Sequence, residues 1–251
     1  MMLRRAKVVV WQLIREVQKS FAEEVLVLGD SHARAFGSAW VRARFPRVYL
    51  DVVSVFGATA SGLANPNSKT QAYATFERAL ENTRARTVVI MLGEVDTGFV
   101  IWYRAAKYGV PVAEAFARTL TTYKDFIHTV KERGFVPVCV STPLPTIRDG
   151  TVWGDVANKR RAVTATQRER TALTVAFNRE MARFCRAENV THINLDDLSL
   201  GPDGLVRGDL VNRNRANHHY DRRAYARLLS THVGRPVLRQ GGLASGGGSP
   251  R

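Results

Sequence analysis

"LVLGDSHARAF", residues Leu26 to Phe36, decides how this chain is read. An apolar run stops at Gly29, three small or polar residues follow (Asp30, Ser31, His32), and an alanine- and arginine-rich segment begins at once. This is the pattern of a buried strand ending in a tight turn that opens a helix. Serine is among the best helix N-caps, so Ser31 has a purely structural reading. It also has a chemical one, because a hydroxyl exposed at the end of a strand can serve as a nucleophile.

Working outward, short β-branched runs alternate with helical spacing. "EVLVLG" (24–29), "RVYLDVVSV" (47–55), "RTVVIMLG" (86–93), "FVPVCVS" (135–141) and "VTHINL" (190–195) predict five strands. Helical spacing covers Ala33 to Arg44, Lys69 to Thr83, Val112 to Arg133 and Ala165 to Ala187; the third of these ends in basic residues followed by Gly134, a helix stop signal. The alternation predicts a parallel sheet with helices on both faces and right-handed crossovers. Such sheets bind ligands beyond the C-terminal ends of their strands. Four polar loops then share one rim: Gly29 to His32, "FGATASGLANPNS" (56–68), "GEVDTG" (93–98) and "TPLPT" (142–146).

Size and composition bound the rest. With 251 residues, 45% of them hydrophobic, the chain suits one α/β domain. The expected division is an amphipathic N-terminal helix over 1–22, the domain over 23–239, and a glycine- and serine-rich disordered tail over 240–251. No run reaches the ~18 apolar residues of a membrane span. The N-terminal apolar stretch is broken by Lys7, ended by Arg15 and lacks a small-residue cleavage site, unlike a signal peptide. Cys139 and Cys185 have neither knuckle nor disulfide-framework spacing, which suits a reducing cytoplasm. The net charge of +15 comes mostly from arginines spread along the chain without interleaved aromatics. That pattern fits a solvated face or attraction of an anionic substrate better than specific nucleic-acid binding.

The blocks together resemble the SGNH (GDSL-type) hydrolases. The resemblance rests on Gly29-Asp30-Ser31, a glycine in the loop after the second strand (Gly57), a Gly-x-x-Asp block at Gly93 to Asp96, and the late "HHYDRRAYARLL" (218–229), and it covers nearly the whole chain. It implies a flavodoxin-like three-layer α/β/α sandwich around a five-stranded parallel sheet, with serine esterase or acyl hydrolase activity, often on acetyl groups of carbohydrates or glycan conjugates. Ser31 matches the nucleophile and His219 the general base. The backbone N–H groups of Ser31 and Gly57 match two oxyanion donors. Neither cofactor nor metal is implied, and the partner is a small-molecule or glycan ester. The oligomeric state is left open.

Two departures stand out. Where the family has Gly-x-Asn-Asp, this chain reads Gly93-Glu94-Val95-Asp96, so the asparagine donor of the oxyanion hole is replaced by Val95. Loss of one such donor costs about a hundredfold to a thousandfold in rate. Asn65 and Asn67 lie on the same predicted rim and are candidates to compensate, with turn chemistry around Pro66 as the alternative. The family's aspartate three residues before the histidine is here Ala216. Asp209, Asp96 or a backbone carbonyl are the candidates to orient His219, and Asp30 is a further supporting residue. His218 is an alternative base, expected to face away from His219 if the stretch is extended.

Two other functions use the same residues. Asp30, His32, Glu94, Asp96, His218 and His219 offer oxygen and imidazole ligands for a metal-dependent phosphoesterase, although the loops such enzymes carry are missing. A scaffold with degenerate chemistry would instead be a non-catalytic glycan-binding or interaction module. His128, His192 and Cys139 read as packing or exposed positions. The segment from Ile147 to Val163 is long for a connection and reads as a lid, with Trp153 available to cover a substrate.

Overall fold

A computed structural model describes residues 19–150, 163–214 and 216–233 of the chain. The expected N-terminal helix falls mostly outside these residues, as do Trp153 and the tail. Five strands form one sheet: β1 (Glu23–Gly29), β2 (Val48–Ser54), β3 (Thr87–Met91), β4 (Val136–Val140) and β5 (Thr191–Ile193). All neighbours are parallel and the order is β2-β1-β3-β4-β5. This is the flavodoxin-like order, in which the chain reverses its direction of winding between β1 and β3.

The apolar runs are continuous because both sheet faces are buried. Val25 and Val27 of β1, with Val89 and Met91 of β3, pack against one helical layer: α1 (Ala39–Arg44) through Val41 and α7 (Arg222–His232) through Tyr225 and Leu229. The alternate residues Leu26, Leu28, Val88 and Ile90 meet the other layer: Phe76 of α2 (Ala72–Asn82), Tyr123 and Ile127 of α4 (Val112–Glu132), and Phe177 and Met181 of α5 (Gln167–Ala187). In this second core Cys139 of β4 and Cys185 of α5, both free and buried, share a hydrogen bond. That bond, with burial, holds the Cys139 thiol well above its ordinary pKa. Spacing along the chain does not reveal the pair, because β4 and α5 bring it together.

Two helical expectations change. Ala33 to Arg44 is not one helix but a 3-10 turn (Ser31–Gly37) followed by α1. Ser38 sits extended between them and accepts the Val41 N–H at 3.4 Å, so a serine cap restarts the helix. The block read as a loop at 93–98 enters a helix instead. A wide π-type turn (Asp96–Val100) runs directly into α3 (Ile101–Tyr108), with the Trp102 indole donating to the Thr97 carbonyl at 2.8 Å. The short α6 (Asp196–Ser199) follows β5. Among the described residues no helix is long and apolar enough to cross a membrane.

Gly29 makes the β1 turn possible. It pairs with Ser54 and Met91 in register, and a Cβ there would lie 2.5 Å from the Met91 carbonyl oxygen and 2.7 Å from the Ala33 Cβ. Since the first clash is with backbone of a central strand, a side chain cannot be accommodated by a rotamer change. Gly29→Ala is therefore expected to lower stability by about 1–3 kcal/mol, the range for overpacking. A chemical denaturation midpoint equal to that of the parent protein would contradict the close approach.

Candidate active site

The end of β1 is clamped on both sides. The Asp30 N–H donates to Met91 O at 3.3 Å, the Val55 N–H donates to Gly29 O at 2.9 Å, and the Ser54 hydroxyl donates to Asp30 O at 2.8 Å. Asp30, not Ser31, caps the turn that follows: its Oδ1 accepts the His32 N–H at 2.8 Å and lies 3.3 Å from His32 Nδ1. The structural reading of Ser31 as the cap is thus replaced. Ser31 is the first residue of the turn and lines a cleft of about 720 Å³ together with His32, Asn217, His219 and Tyr220.

The histidine block is brought to this cleft by the loop after β4. Tyr220, fully buried, accepts the Leu144 N–H at 2.7 Å, and the Thr146 hydroxyl donates to the His218 carbonyl. The Tyr220 ring packs edge-on to Tyr225 of α7, whose N-terminus is capped by Asp221. "TPLPT" therefore positions the histidine block from behind.

Asn217 orients His219. Its Oδ1 accepts the His219 N–H at 3.0 Å and faces His219 Nδ1 at 2.8 Å. A backbone N–H can only donate, which identifies the Asn217 atom as the oxygen; the ring nitrogen facing the same acceptor must then carry a proton. Nδ1–H is the tautomer that leaves the lone pair on Nε2. That nitrogen is buried and makes no hydrogen bond, to Ser31 or to any other described residue.

The carboxylates considered for this role are elsewhere. Asp209 forms an ion pair with Arg207 at 2.6 Å, and that bond holds its pKa below the usual carboxylate range. Asp96 is buried and accepts the Ala60 N–H at 2.7 Å, the Ser61 N–H at 3.1 Å and the Ser61 hydroxyl at 2.6 Å, tying the loop after β2 to the block after β3. Burial raises its pKa to about 6, against these bonds. Asn217 was not singled out in the sequence. The available signal was Asn217-x-His219, since an asparagine side chain readily accepts the N–H two residues on.

His218 does not face away from His219. The turn closed by Asn217 replaces an extended stretch, and the two ring centroids are 4.1 Å apart, with His32 4.7 Å from His219. Burial pushes the His219 pKa down to about 3, and the neighbouring His32, His218 and Arg34 lower it further, against the opposite pull of buried Glu94. No three His, Cys, Asp or Glu side chains among the described residues converge as a metal cage.

Of the oxyanion candidates, Gly57 lies in the turn after β2 next to Phe56, whose ring lines the cleft. Asn65 and Asn67 are exposed; Asn65 Oδ1 accepts the Asn67 N–H at 3.0 Å, and Asn65 lines a different groove with Tyr73 and Phe126. The structure does not bring them to Ser31. Val95 stands at the start of the wide turn and offers only its backbone.

The sequence matches no protein-family model. It matches no curated protein either. Solved structures do share the fold. A GDSL-like lipase from Bacteroides thetaiotaomicron superposes with a TM-score of 0.61 at 12% identity, over 92% of this chain and 98% of that one. A psychrotrophic esterase, EstA, from Pseudoalteromonas sp. gives 0.51 at 14% identity, over 87% and 97%. An acetyl xylan esterase gives 0.52 at 14% identity, over 83% and 98%.

The geometry predicts how His219 titrates. Its imidazole is expected to stay neutral and Nδ1-protonated at pH 5, where an ordinary histidine is almost wholly charged. Nitrogen chemical shifts of the ring across pH 5–8 read this directly, and a midpoint near 6.5 would contradict it.

Proposed function

From a chain that folds as the SGNH hydrolases do, we propose a serine esterase or acyl hydrolase in which Ser31 is the nucleophile and His219 the general base. The observation that carries this reading is the Asn217–His219 pair, which sets the base tautomer in the cleft that holds the Ser31 hydroxyl. With Nδ1–H donated to Asn217, Nε2 accepts the Ser31 proton as Oγ attacks the ester carbonyl. The Nε2–H then protonates the departing alkoxide, leaving an acyl group on Oγ. Water, deprotonated by the same nitrogen, attacks that acyl carbonyl; the carboxylic acid leaves and Oγ regains its proton. The step requires the Ser31 hydroxyl to come within hydrogen-bond reach of Nε2, about 3 Å.

Asn217 is a neutral orienting group, so it fixes the ring without the added stabilisation of imidazolium that a carboxylate gives. The backbone N–H groups of Ser31 and Gly57 serve as oxyanion donors, and Val95 leaves the third place to backbone or solvent. Asp30 is a positioning residue for the turn. The substrate is a small ester, and we favour an acylated carbohydrate. The exposed Phe56 ring at the cleft suits the face of a sugar, and one structural neighbour is an acetyl xylan esterase. The two free core thiols fit a reducing, cytoplasmic setting.

Ser31→Ala is expected to lower hydrolysis of 4-nitrophenyl acetate by at least about a thousandfold while its thermal unfolding matches the parent. Chelation with EDTA is expected to leave the parent rate unchanged. Undiminished turnover in Ser31→Ala would overturn the serine mechanism, and metal-dependent cleavage of a phosphoester would favour the phosphoesterase reading.

A further inference from the structure

Simple ester hydrolysis does not call for the charge that lines the Ser31 cleft. Three arginines reach it from separate elements: Arg34 from the 3-10 turn, Arg42 from α1 and Arg222 from the first turn of α7. No Asp or Glu is among the described residues that line it. The polar lining also includes Ser54, Asn212 and Asn217. Like charges gathered around one concavity repel one another, and low-dielectric walls focus their field into the space between.

The placement suits a ligand. Arg42 lines the cleft from α1, with Nη2 3.9 Å from where a Cβ on Gly37 would sit. Arg34 lies over the Phe56 ring at 5.1 Å from the centroid, a contact that holds its side chain against the cleft lining. Its charge is felt at His219 itself. Arg222 and Arg34 are both exposed, so a bound group can reach them. All three cations are guanidinium, the planar fork that grips a carboxylate or phosphate by two parallel hydrogen bonds; none is the point charge of a lysine.

We propose that Arg34, Arg42 and Arg222 form an oxyanion subsite that selects esters bearing a carboxylate, phosphate or sulfate beside the scissile acyl bond. The proposal rests on the hydrolase reading for its ester but not for its anion. The subsite makes the anionic group a handle, held while Ser31 attacks the neighbouring carbonyl.

The test compares mono(4-nitrophenyl) glutarate with neutral 4-nitrophenyl butyrate, using the full chain and its Arg34→Gln/Arg222→Gln variant. The ratio of kcat/KM for the anionic ester over the neutral one is expected to fall about tenfold or more in the variant, and to fall with rising salt in the parent. A ratio unchanged within about twofold overturns the subsite. Should the parent cleave neither ester, the hydrolase reading fails separately, and calorimetry of the parent with glutarate, inorganic phosphate and sulfate judges the subsite. Heat that disappears in the variant supports it, and identifies which oxyanion is preferred; no heat, or heat that the variant retains, overturns it.

Discussion

The Asp30 carboxylate on the His32 N–H is the contact on which the site depends. A helical turn at the end of a strand must satisfy its first N–H groups, and Ser31 would be a suitable residue to do it. Because Asp30 takes that work one position earlier, Ser31 becomes the first residue of the turn and lines the cleft without serving as the turn's cap. The arrangement requires a chain that bends tightly against β3, which Gly29 allows, and an elbow that cannot drift, which the bonds to Met91, Val55 and Ser54 provide. The sheet order does the rest: the chain reverses its winding between β1 and β3, so their C-terminal ends open onto a crevice.

The second half of the site is held in a different way. His219 follows a turn that its own asparagine closes, on a segment tied down by Tyr220 and Thr146 to the loop after β4. Burial among His32 and His218 keeps the ring uncharged, and a neutral orienting partner does not oppose this. An aspartate there would favour imidazolium and raise the pKa. The positive charge lining the cleft therefore comes from its arginines and not from His219.

Much of this was legible in the sequence, for identifiable reasons. Five strands buried on both faces leave continuous β-branched runs, and their alternation with helices leads to the parallel sheet and its rim. The interruption at Ser38 and the helix beyond Asp96 were not legible. A serine cap inside an alanine-rich segment looks like any polar helix position, and the apolar run from Phe99 to Tyr103 hides the helical period. Asn217 was missed because the resemblance directs attention three residues upstream of His219, to Ala216, whereas the bond spans two. The contact between Cys139 and Cys185 and the convergence of Arg34, Arg42 and Arg222 depend on residues distant along the chain, which local spacing cannot report.

The serine mechanism proposed above requires Ser31 and His219 to act on one another across this cleft. A crystal structure of the protein after reaction with an alkylphosphonate ester tests it most directly. The expected adduct has phosphorus bonded to Ser31 Oγ, His219 Nε2 within hydrogen-bond distance of an oxygen of the adduct with Nδ1 still on Asn217 Oδ1, and the phosphoryl oxygen facing the N–H groups of Ser31 and Gly57. An unmodified Ser31, or an adduct with His219 turned away and no donor beside the phosphoryl oxygen, would contradict it.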